Sequence, residues 1–304
     1  MHDRPLILGI HGLANKPPRE EKQAWWGQSI AEGLRRNVGR APPDLPFDFV
    51  YWADLRYDAP LADDHNREPY YPARGRGPFP SPDGVCAPTL TDRLYRAIEW
   101  IQVKAGHLVL DDLIIEHRLD DLWGYYEDII FREAARDRLR QALAQHEGRP
   151  LLLAAHSMGS LIAYDVLRLL ERQGNLPVIA HFVSMGAPLG LAEIKRRLAS
   201  EHGDLRVPEA VARWSNLGDR EDLATVGTTL AEAYAPNRAG IGVIDCPVIN
   251  AYRRPRGGKN PHKSYGYLRT PEFSRAVAAF LNEETRAGSE NRAEPAALST
   301  ASGA

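Results

Sequence analysis

The chain has 304 residues, of which 43% are hydrophobic and 26% are charged, and its formal net charge at pH 7 is −2. These proportions are those of a soluble globular protein. A near-neutral charge without a marked run of lysine or arginine argues against nucleic acid or an anionic membrane surface as the partner. The two cysteines, Cys86 and Cys246, lie far apart in sequence. We therefore expect free thiols rather than a disulfide, and a cytoplasmic location.

The N-terminal part of the chain alternates strand and helix patterns. An apolar run at residues 5–10 predicts a buried strand. The run is too short for a secretory signal or a membrane span. Helical spacing follows at 25–37, and a second strand pattern at 47–52. Residues 54–90 then contain seven prolines and three glycines. Such a stretch sustains neither helix nor sheet and indicates an insertion.

The middle of the chain returns to regular patterns. From residue 91 to 146 apolar residues recur at three- and four-residue spacing, which predicts helices. Continuous apolar runs at 151–155 and 178–184 are typical of parallel strands covered on both faces. Two further strands are predicted at 211–217 and 242–251.

The predicted fold closes with a helix at residues 271–283, which Thr270 is placed to cap. The order of elements predicts an α/β fold with one mostly parallel sheet and helices on both faces. We assign the segments as follows: 1–53 and 147–286 form the core, 54–146 form an inserted proline-rich loop and helical cap that ends in a core helix, and 287–304 form a disordered tail.

The sequence AHSMGS at 155–160 joins an apolar strand to a helix. A sharp strand-to-helix reversal lifts its turn residue, Ser157, clear of the backbone at the carboxyl end of the sheet. Ala155 and Gly159 are small enough to let the helix pass close to the strand. The Met158 amide then lies at the helix N-terminus, where it can donate to a developing oxyanion. The pattern favours a nucleophilic serine, and a plain serine N-cap is the alternative.

A nucleophilic serine needs a histidine base and an acid that orients the base. Three histidines follow Ser157 in the sequence. His181 lies inside a predicted strand and is expected to be a packed residue, and His202 ends a polar helix and is expected to be solvated. His262 lies in a loop between the last strand and the last helix, so it is favoured as the base.

Two aspartates follow the strand at 211–217. Asp222 is favoured as the acid over Asp219 because it lies deeper in the loop, although either could simply cap a turn. Asp165, in the helix after the serine, and Asp245, in the last predicted strand, are less suitably placed.

The loop GIHGLANKPP follows the first strand. Gly9, His11 and Gly12 are expected to let its backbone approach a substrate closely, and the Leu13 amide is the expected second oxyanion donor.

These stretches together resemble the α/β-hydrolase superfamily, in particular its serine esterases and lipases. IHGLA is similar to the oxyanion loop, and AHSMGS to the Ala-x-Ser-x-Gly elbow of small bacterial lipases. NLGDRED resembles the acid loop, whose last aspartate maps to Asp222, and PHKSYGYL resembles the histidine loop, which maps the base to His262. The resemblance covers residues 5–53 and 147–283, and the first strands of the superfamily sheet are missing. It implies a reduced α/β-hydrolase fold.

The resemblance and the residues imply a Ser-His-Asp triad that works through an acyl-enzyme intermediate and needs no metal or organic cofactor. The expected substrate is a small-molecule ester with an apolar acyl group. A thioesterase or amidase would use the same triad. A non-catalytic module of the same fold, which binds a ligand or protein through the cap, is the alternative from a different class.

Aromatic residues of the insertion either line an acyl pocket or hold the cap to the sheet; they are Trp100, Trp123, Tyr125, Tyr126 and Phe131. The candidate substrate contacts are His11, Gly12, His156, Trp123 and Tyr126, with a packing role as the alternative for His156.

Three further patterns carry weaker signals. HRLDD at 117–121 mimics the His-x-x-x-Asp pattern of some acyltransferases but is better explained as a solvated helix face. His2 and His11 form no metal-binding spacing with a nearby carboxylate, so we predict no metal site. The stretch REPYYPARGRGPFP is either a mobile flap over the site or a tethered surface loop.

Overall fold

The computed structural model describes the following residues: 4–62, 69–82, 122–225, 229–254 and 257–290. Several sequence features lie outside these residues: His2, Cys86, Trp100, the HRLDD stretch at 117–121 and residues 291–304. Within the described chain, no helix combines the length and the apolar character that crossing a membrane requires.

The described strands form one six-stranded, entirely parallel sheet. In chain order they are β1 (Leu6–Ile10), β2 (Phe47–Val50), β3 (Leu151–His156), β4 (Ile179–Met185), β5 (Trp214–Asp219) and β6 (Val243–Val248). Their spatial order is β2-β1-β3-β4-β5-β6. The central strands β1 and β3 are buried along their whole length, as parallel strands covered on both faces must be. The predicted α/β fold with a parallel sheet is confirmed.

Helices cover both faces of the sheet, as predicted. They are α1 (Arg19–Asn37), α2 (Ile129–Gln145), α3 (Met158–Arg172), α4 (Ala192–His202), α5 (Leu230–Ala233), α6 (Ser264–Leu268) and α7 (Pro271–Glu290). One hydrophobic core packs α1, α6 and α7 against one face, with Trp26, Tyr265 and Phe273 fully buried. The other core packs α2, α3 and α4 against the opposite face. The chain passes from β1 to β2 and from β3 to β4 in opposite directions along the sheet. Because crossovers between parallel strands are right-handed, the connecting helices α1 and α3 lie on opposite faces.

Several element boundaries differ from the sequence prediction. Helix α1 begins six residues before residue 25, because Glu20 and Glu21 in its first turn are stabilised by the helix N-terminus. Helix α7 continues to Glu290, so it includes the first four residues of the predicted tail. The predicted strand at 211–217 begins later, since Val211 forms only an isolated bridge with Ile179.

Strand β6 is an edge strand that pairs with β5 alone. It contains Pro247, which has no amide hydrogen and is therefore tolerated at an edge. The strand ends at Val248, three residues before the predicted boundary at residue 251. Cys246 within it is a free thiol.

The described parts of the insertion are attached to the core. The Tyr70 hydroxyl and the Ala73 amide both donate to the Glu32 carboxylate of α1, and the Phe79 amide donates to Asn37. These bonds favour a tethered surface loop over a mobile flap for residues 69–82. Residues 122–127 are helical, and the Asp128 side chain then caps α2 through two backbone amides at 3.0 Å.

The order of strands places a topological switch point between β1 and β3. The chain leaves β1 for β2 on one side, whereas β3 leads to β4 on the other side. Loops diverge at the carboxyl ends of such a strand pair, and the crevice between them is where open parallel sheets bind ligands. The loop at Gly12 and the turn at Ser157 both lie at this crevice.

Candidate active site

Ser157 lies between the last residue of β3 and the first residue of α3, with φ 54° and ψ −127°. A serine at positive φ is strained, and such strain persists only where the surrounding structure holds it. The Ser157 amide donates to the Met185 carbonyl at 2.9 Å. The Ser157 side chain makes no capping bond to α3, so the serine N-cap alternative does not account for it.

Two glycines are required by the tightness of this turn. A Cβ atom at Gly12 would lie 2.6 Å from Ser157 Cβ, and one at Gly159 would lie 2.6 Å from the His11 carbonyl oxygen. The first strand loop and the elbow are therefore in direct contact. Gly9 has a different role from the one expected, because its missing side chain makes room for the rings of Phe47 and Phe49 and not for a substrate.

Ser157, His262 and Asp222 form one hydrogen-bonded line. His262 Nε2 lies 3.0 Å from Ser157 Oγ, and His262 Nδ1 lies 2.9 Å from both carboxylate oxygens of Asp222. Since a carboxylate only accepts, Nδ1 carries the proton and Nε2 is left to accept from the serine hydroxyl. Asp222 is almost fully buried, with 1% exposure, whereas the His262 side chain is 13% exposed.

The two candidate acids have distinct surroundings. Asp222 accepts a 2.6 Å bond from the Tyr267 hydroxyl in addition to the bond with His262. The carboxylate of Asp219 instead accepts from the backbone amides of Glu221 and Asn250 and closes the turn. Burial raises the pKa of Asp219, and those amide bonds oppose the rise. Of the two aspartates, Asp222 is therefore the one that contacts His262.

The His262 loop is fixed from two sides. Asn250 Nδ2 donates to the carbonyls of Pro261 at 2.6 Å and Lys263 at 2.9 Å, so it brackets the histidine. His156 Nε2 donates to the His262 carbonyl at 2.8 Å. Burial, with the adjacent His262, lowers the pKa of His156 well below its ordinary value. His156 is therefore neutral, and it holds the backbone of the His262 loop.

His11 shapes the loop after β1. Its Nδ1 donates to the Gly12 carbonyl at 2.8 Å, its Nε2 accepts from the Trp52 amide at 3.0 Å, and its ring stacks on the Trp52 indole. Burial and the charge of Lys16 lower the pKa of His11 well below its ordinary value. The neutral ring thus orients the peptide that leads to Leu13. Met158 is the first residue of α3, where an amide has no intrahelical partner and can serve a ligand.

The other two downstream histidines lie away from Ser157. His181 is buried in β4, where its Nε2 lies 2.9 Å from Ser215 Oγ, as expected of a packed residue. The expectation that His202 is solvated is wrong: its side chain is completely buried and its Nε2 donates to Asp165 at 2.8 Å. The polar end of α4 packs on α3, which a helix-end pattern in the sequence does not reveal.

Asp165, on α3, lies at the centre of a buried ionic cluster. It accepts from His202, from Arg136 Nη2 at 2.7 Å and from the Tyr125 hydroxyl at 2.7 Å. Asp165, Glu201 and His202 converge closely enough to be considered as metal ligands. Arg136 Nη2, however, also donates to Glu201 at 2.7 Å. A guanidinium therefore already fills the position between the two carboxylates.

Replacing Asp165 with asparagine should lower the free energy of unfolding by about 3–5 kcal/mol, because it leaves the buried Arg136 without its main counter-charge. Chemical denaturation at pH 7 measures this loss. Asp137→Asn is the matched control, since the Asp137 carboxylate pairs with Arg140 but is 55% exposed, and its loss should be below about 1 kcal/mol. Equal, small losses in both variants would contradict a stabilising role for the cluster.

The same cluster determines how the free energy of unfolding changes at acidic pH. Burial raises the pKa of Asp165. The hydrogen bonds and charges of His202 and Arg136 lower it by more, so the pKa of Asp165 lies below the ordinary value of an aspartate. A carboxyl group whose pKa is lower in the folded state than in the unfolded state stabilises the fold at pH values above its unfolded-state pKa. This contribution is lost as the pH falls through the folded-state pKa.

Trp123 and Tyr126, two of the candidate substrate contacts, do not line the cavity beside Ser157. Both rings stack on the guanidinium of Arg197 on α4, with its Cζ at 5.1 Å and 4.7 Å from the ring centroids. Tyr125 and Phe131 are core residues. These aromatic residues hold the end of the insertion to the sheet, whereas His11, Gly12 and His156 do line the cavity.

Sequence reasoning missed Tyr267, Asn250 and Gly186. Tyr267 follows His262 by five residues within PHKSYGYL, so helix α6 brings it back beside Asp222. Gly186 has φ 55°, and a Cβ atom there would lie 2.9 Å from Asp222 Oδ2. Gly186, in the sequence SMGAP after β4, is the signal from which this close approach could have been predicted.

Comparison with known proteins identifies one similarity. Residues 136–203, which include Ser157, match the family model described as lecithin:cholesterol acyltransferase. No curated protein and no solved structure matches the chain. Over that segment, the chain is therefore similar to an α/β-hydrolase-type family of acyltransferases and lipases.

Proposed function

We propose that this protein is a serine hydrolase that cleaves carboxylic esters through an acyl-enzyme intermediate. The observation that carries the proposal is the line of three side chains, with 3.0 Å between Ser157 Oγ and His262 Nε2 and 2.9 Å between His262 Nδ1 and Asp222. The strained elbow supports it, because the backbone strain at Ser157 has no other evident use in the fold.

In the first step, Ser157 Oγ attacks the ester carbonyl carbon while His262 Nε2 takes its proton. The carboxylate of Asp222 stabilises the imidazolium that forms. The amides of Leu13 and Met158 are assigned to the oxyanion of the tetrahedral intermediate. His262 then returns the proton to the leaving alkoxide oxygen, the alcohol departs and the acyl group remains on Ser157.

In the second step, His262 takes a proton from a water molecule, whose oxygen attacks the acyl carbon. Collapse of this intermediate releases the carboxylic acid and returns the proton to Ser157. The chain's own residues supply every proton transfer in both steps, so the proposal includes no cofactor. A thioester or amide would follow the same course with a thiol or amine as the leaving group.

A second candidate is acyl transfer to an alcohol instead of water. The match of residues 136–203 to the lecithin:cholesterol acyltransferase model favours this possibility. The two reactions share the acyl-enzyme and differ only in the acceptor. Adding a series of alcohols to the ester assay separates them, because transfer yields a new ester whereas hydrolysis yields only the acid.

A fluorophosphonate probe should label the protein at Ser157, since the probe reacts with a serine only when a base activates it. Mass spectrometry of the labelled peptide identifies the residue. Replacing His262 with alanine should suppress labelling although Ser157 is still present. If the wild-type protein stays unlabelled, or if another residue is labelled instead, a non-catalytic binding module becomes the better description.

A further inference from the structure

Tyr267 is a fully buried residue that takes no part in the proton transfers of the proposed reaction. Its side chain lies on α6, and its hydroxyl donates to Asp222 Oδ2 at 2.6 Å. The same hydroxyl accepts from the Asp219 amide at 3.2 Å. Because an amide N–H can only donate, the proton of the hydroxyl is directed to the Asp222 carboxylate.

The Asp222 carboxylate is held at both of its oxygens. Oδ1 accepts from the Ala224 amide at 3.0 Å, and Oδ2 accepts from the Tyr267 hydroxyl. His262 Nδ1 lies 2.9 Å from each of the two oxygens. Ala224 is two residues from Asp222 in the same turn, whereas Tyr267 belongs to the helix that follows the His262 loop. Tyr267 therefore links the orientation of the carboxylate to the part of the chain that carries the histidine.

Gly186 shows how closely these groups converge. A Cβ atom there would lie 2.9 Å from Asp222 Oδ2, 3.1 Å from Tyr267 Cε2 and 3.3 Å from His262 Cε1. These distances are shorter than the ordinary van der Waals separation of two carbon atoms. A larger residue would therefore push the carboxylate, the phenol and the imidazole apart. The fold keeps a glycine at the one point where all three side chains meet.

Tyr267 remains a hydrogen-bond donor at neutral pH. Burial and the adjacent charge of Asp222 raise the pKa of Tyr267 well above its ordinary value, so the phenol keeps its proton. A neutral donor stabilises the carboxylate without removing its charge. Asp222 can then still stabilise the imidazolium that the proposed reaction forms.

We infer that Tyr267 is a positioning residue for the proposed acyl transfer: its hydroxyl holds the Asp222 carboxylate in the orientation that His262 Nδ1 meets. This inference rests on the proposed function and adds a fourth side chain to the hydrogen-bonded line. Tyr267 acts through Asp222, and within the described chain it is not among the residues that line the cavity next to His156. Removing its hydroxyl should therefore slow acylation and leave substrate binding unchanged.

Tyr267→Phe tests the inference, because it removes the hydroxyl and keeps the ring. We expect the acylation rate constant for a chromogenic ester to fall by about 10- to 100-fold, the effect of one charge-assisted hydrogen bond. The ester concentration that gives half of the maximal rate should not change, since Tyr267 makes no contact with the substrate. Single-turnover kinetics over a range of ester concentrations measures both quantities.

Tyr164→Phe is the matched control. Tyr164 is also fully buried, and its hydroxyl donates to the Arg206 carbonyl at 3.0 Å, away from Ser157 and His262. This variant loses a buried hydrogen bond and hence some stability, but its acylation rate should stay close to that of the wild type. An equal fall in both variants, or no fall in Tyr267→Phe, would overturn the inference.

A double-mutant cycle separates a positioning role from a general effect on the fold. If Tyr267 acts through Asp222, Tyr267→Phe should have little further effect on acylation once Asp222 has been replaced with asparagine. The two losses would then be strongly non-additive, as they are for residues that work as a unit. Additive losses would show that the hydroxyl affects the rate by another route, which would refute the inference.

Proton NMR tests the positioning without any turnover. The His262 Nδ1 proton, which is donated to a buried carboxylate, should give a downfield resonance that is absent from His262→Ala. Tyr267→Phe should shift or broaden this resonance, whereas Tyr164→Phe should not. If Tyr267→Phe does not fold, the wild type decides: the Tyr267 hydroxyl proton should show a nuclear Overhauser effect to the Nδ1 proton, and its absence refutes the role.

The outcomes separate this inference from the proposed function. If esters are cleaved but Tyr267→Phe acylates like the wild type, the positioning role fails and the esterase stands. If no ester is cleaved and Ser157 is not labelled, the proposed function fails. The NMR comparison then still decides whether Tyr267 orients the pair of Asp222 and His262: a changed resonance supports it, and an unchanged one refutes it.

Discussion

Replacing Ser157 with alanine should reduce kcat for a short-chain chromogenic ester by about 10⁶-fold, the loss typical of removing the nucleophile of a serine triad. The alanine methyl group cannot form the acyl-enzyme, whereas the oxyanion donors and the cavity are unaffected. A residual rate of about 10³-fold over water is expected from them. Steady-state hydrolysis of a 4-nitrophenyl ester at saturating concentration measures the effect.

Ser160 provides the control for this substitution. It is also a buried serine in the elbow, but its hydroxyl donates to the Ala155 carbonyl at 2.9 Å and contributes no bond to His262. Ser160→Ala should therefore keep turnover within about an order of magnitude of the wild type, since only one neutral hydrogen bond is lost. Comparable turnover in Ser157→Ala and the wild type would exclude Ser157 as the nucleophile.

Replacing Asp222 with asparagine should reduce kcat by about 10⁴-fold with little change in the fold. The side-chain amide introduced by this change can turn its NH₂ toward His262 Nδ1, which favours the tautomer whose Nε2 carries the proton. Such a histidine cannot accept the proton of Ser157. Single-turnover kinetics with a chromogenic ester measures the acylation step directly, and circular dichroism shows whether the variant is folded.

Asp219→Asn is the matched control, because the two carboxylates lie three residues apart on one loop. An asparagine oxygen can still accept one of the bonds from the Glu221 and Asn250 amides, so we expect a stability loss of about 1–2 kcal/mol and at most a modest loss of kcat. A larger kcat loss in Asp219→Asn than in Asp222→Asn would transfer the role of acid to Asp219.

Much of the sheet could be predicted from the sequence, and so could the three residues of the hydrogen-bonded line Ser157–His262–Asp222. β1, β3 and β4 are buried along almost their whole length, so each appears as a continuous apolar run. Ser157 is framed by a strand, a helix and small residues, and few histidines follow it. Chain order left three histidines, and their predicted placement in a strand, a helix end and a loop favoured His262 as the candidate base.

The parts that could not be predicted depend on contacts between distant segments. His202 looks solvated in a polar helix end, yet its partner Asp165 lies 37 residues earlier on α3. The cavity next to His156 is lined by Lys16 and Lys22 from one end of the chain and by Arg254 and Lys263 from the other. Charges so far apart in sequence give no local run, and the near-neutral net charge hides them.

Because β6 is an edge strand, the two halves of the proposed triad are not equally well supported by the sheet. Ser157 follows the central strand β3, which has a neighbour on each side, whereas the His262 loop follows a strand with one neighbour and a proline in its outer half. Segments with fewer buried contacts open at lower free energy than the centre of a sheet. Fraying at this edge would therefore separate His262, the proposed proton acceptor, from Ser157 while the turn at Ser157 stays folded. Loss of the proposed activity and global unfolding would then be separate events.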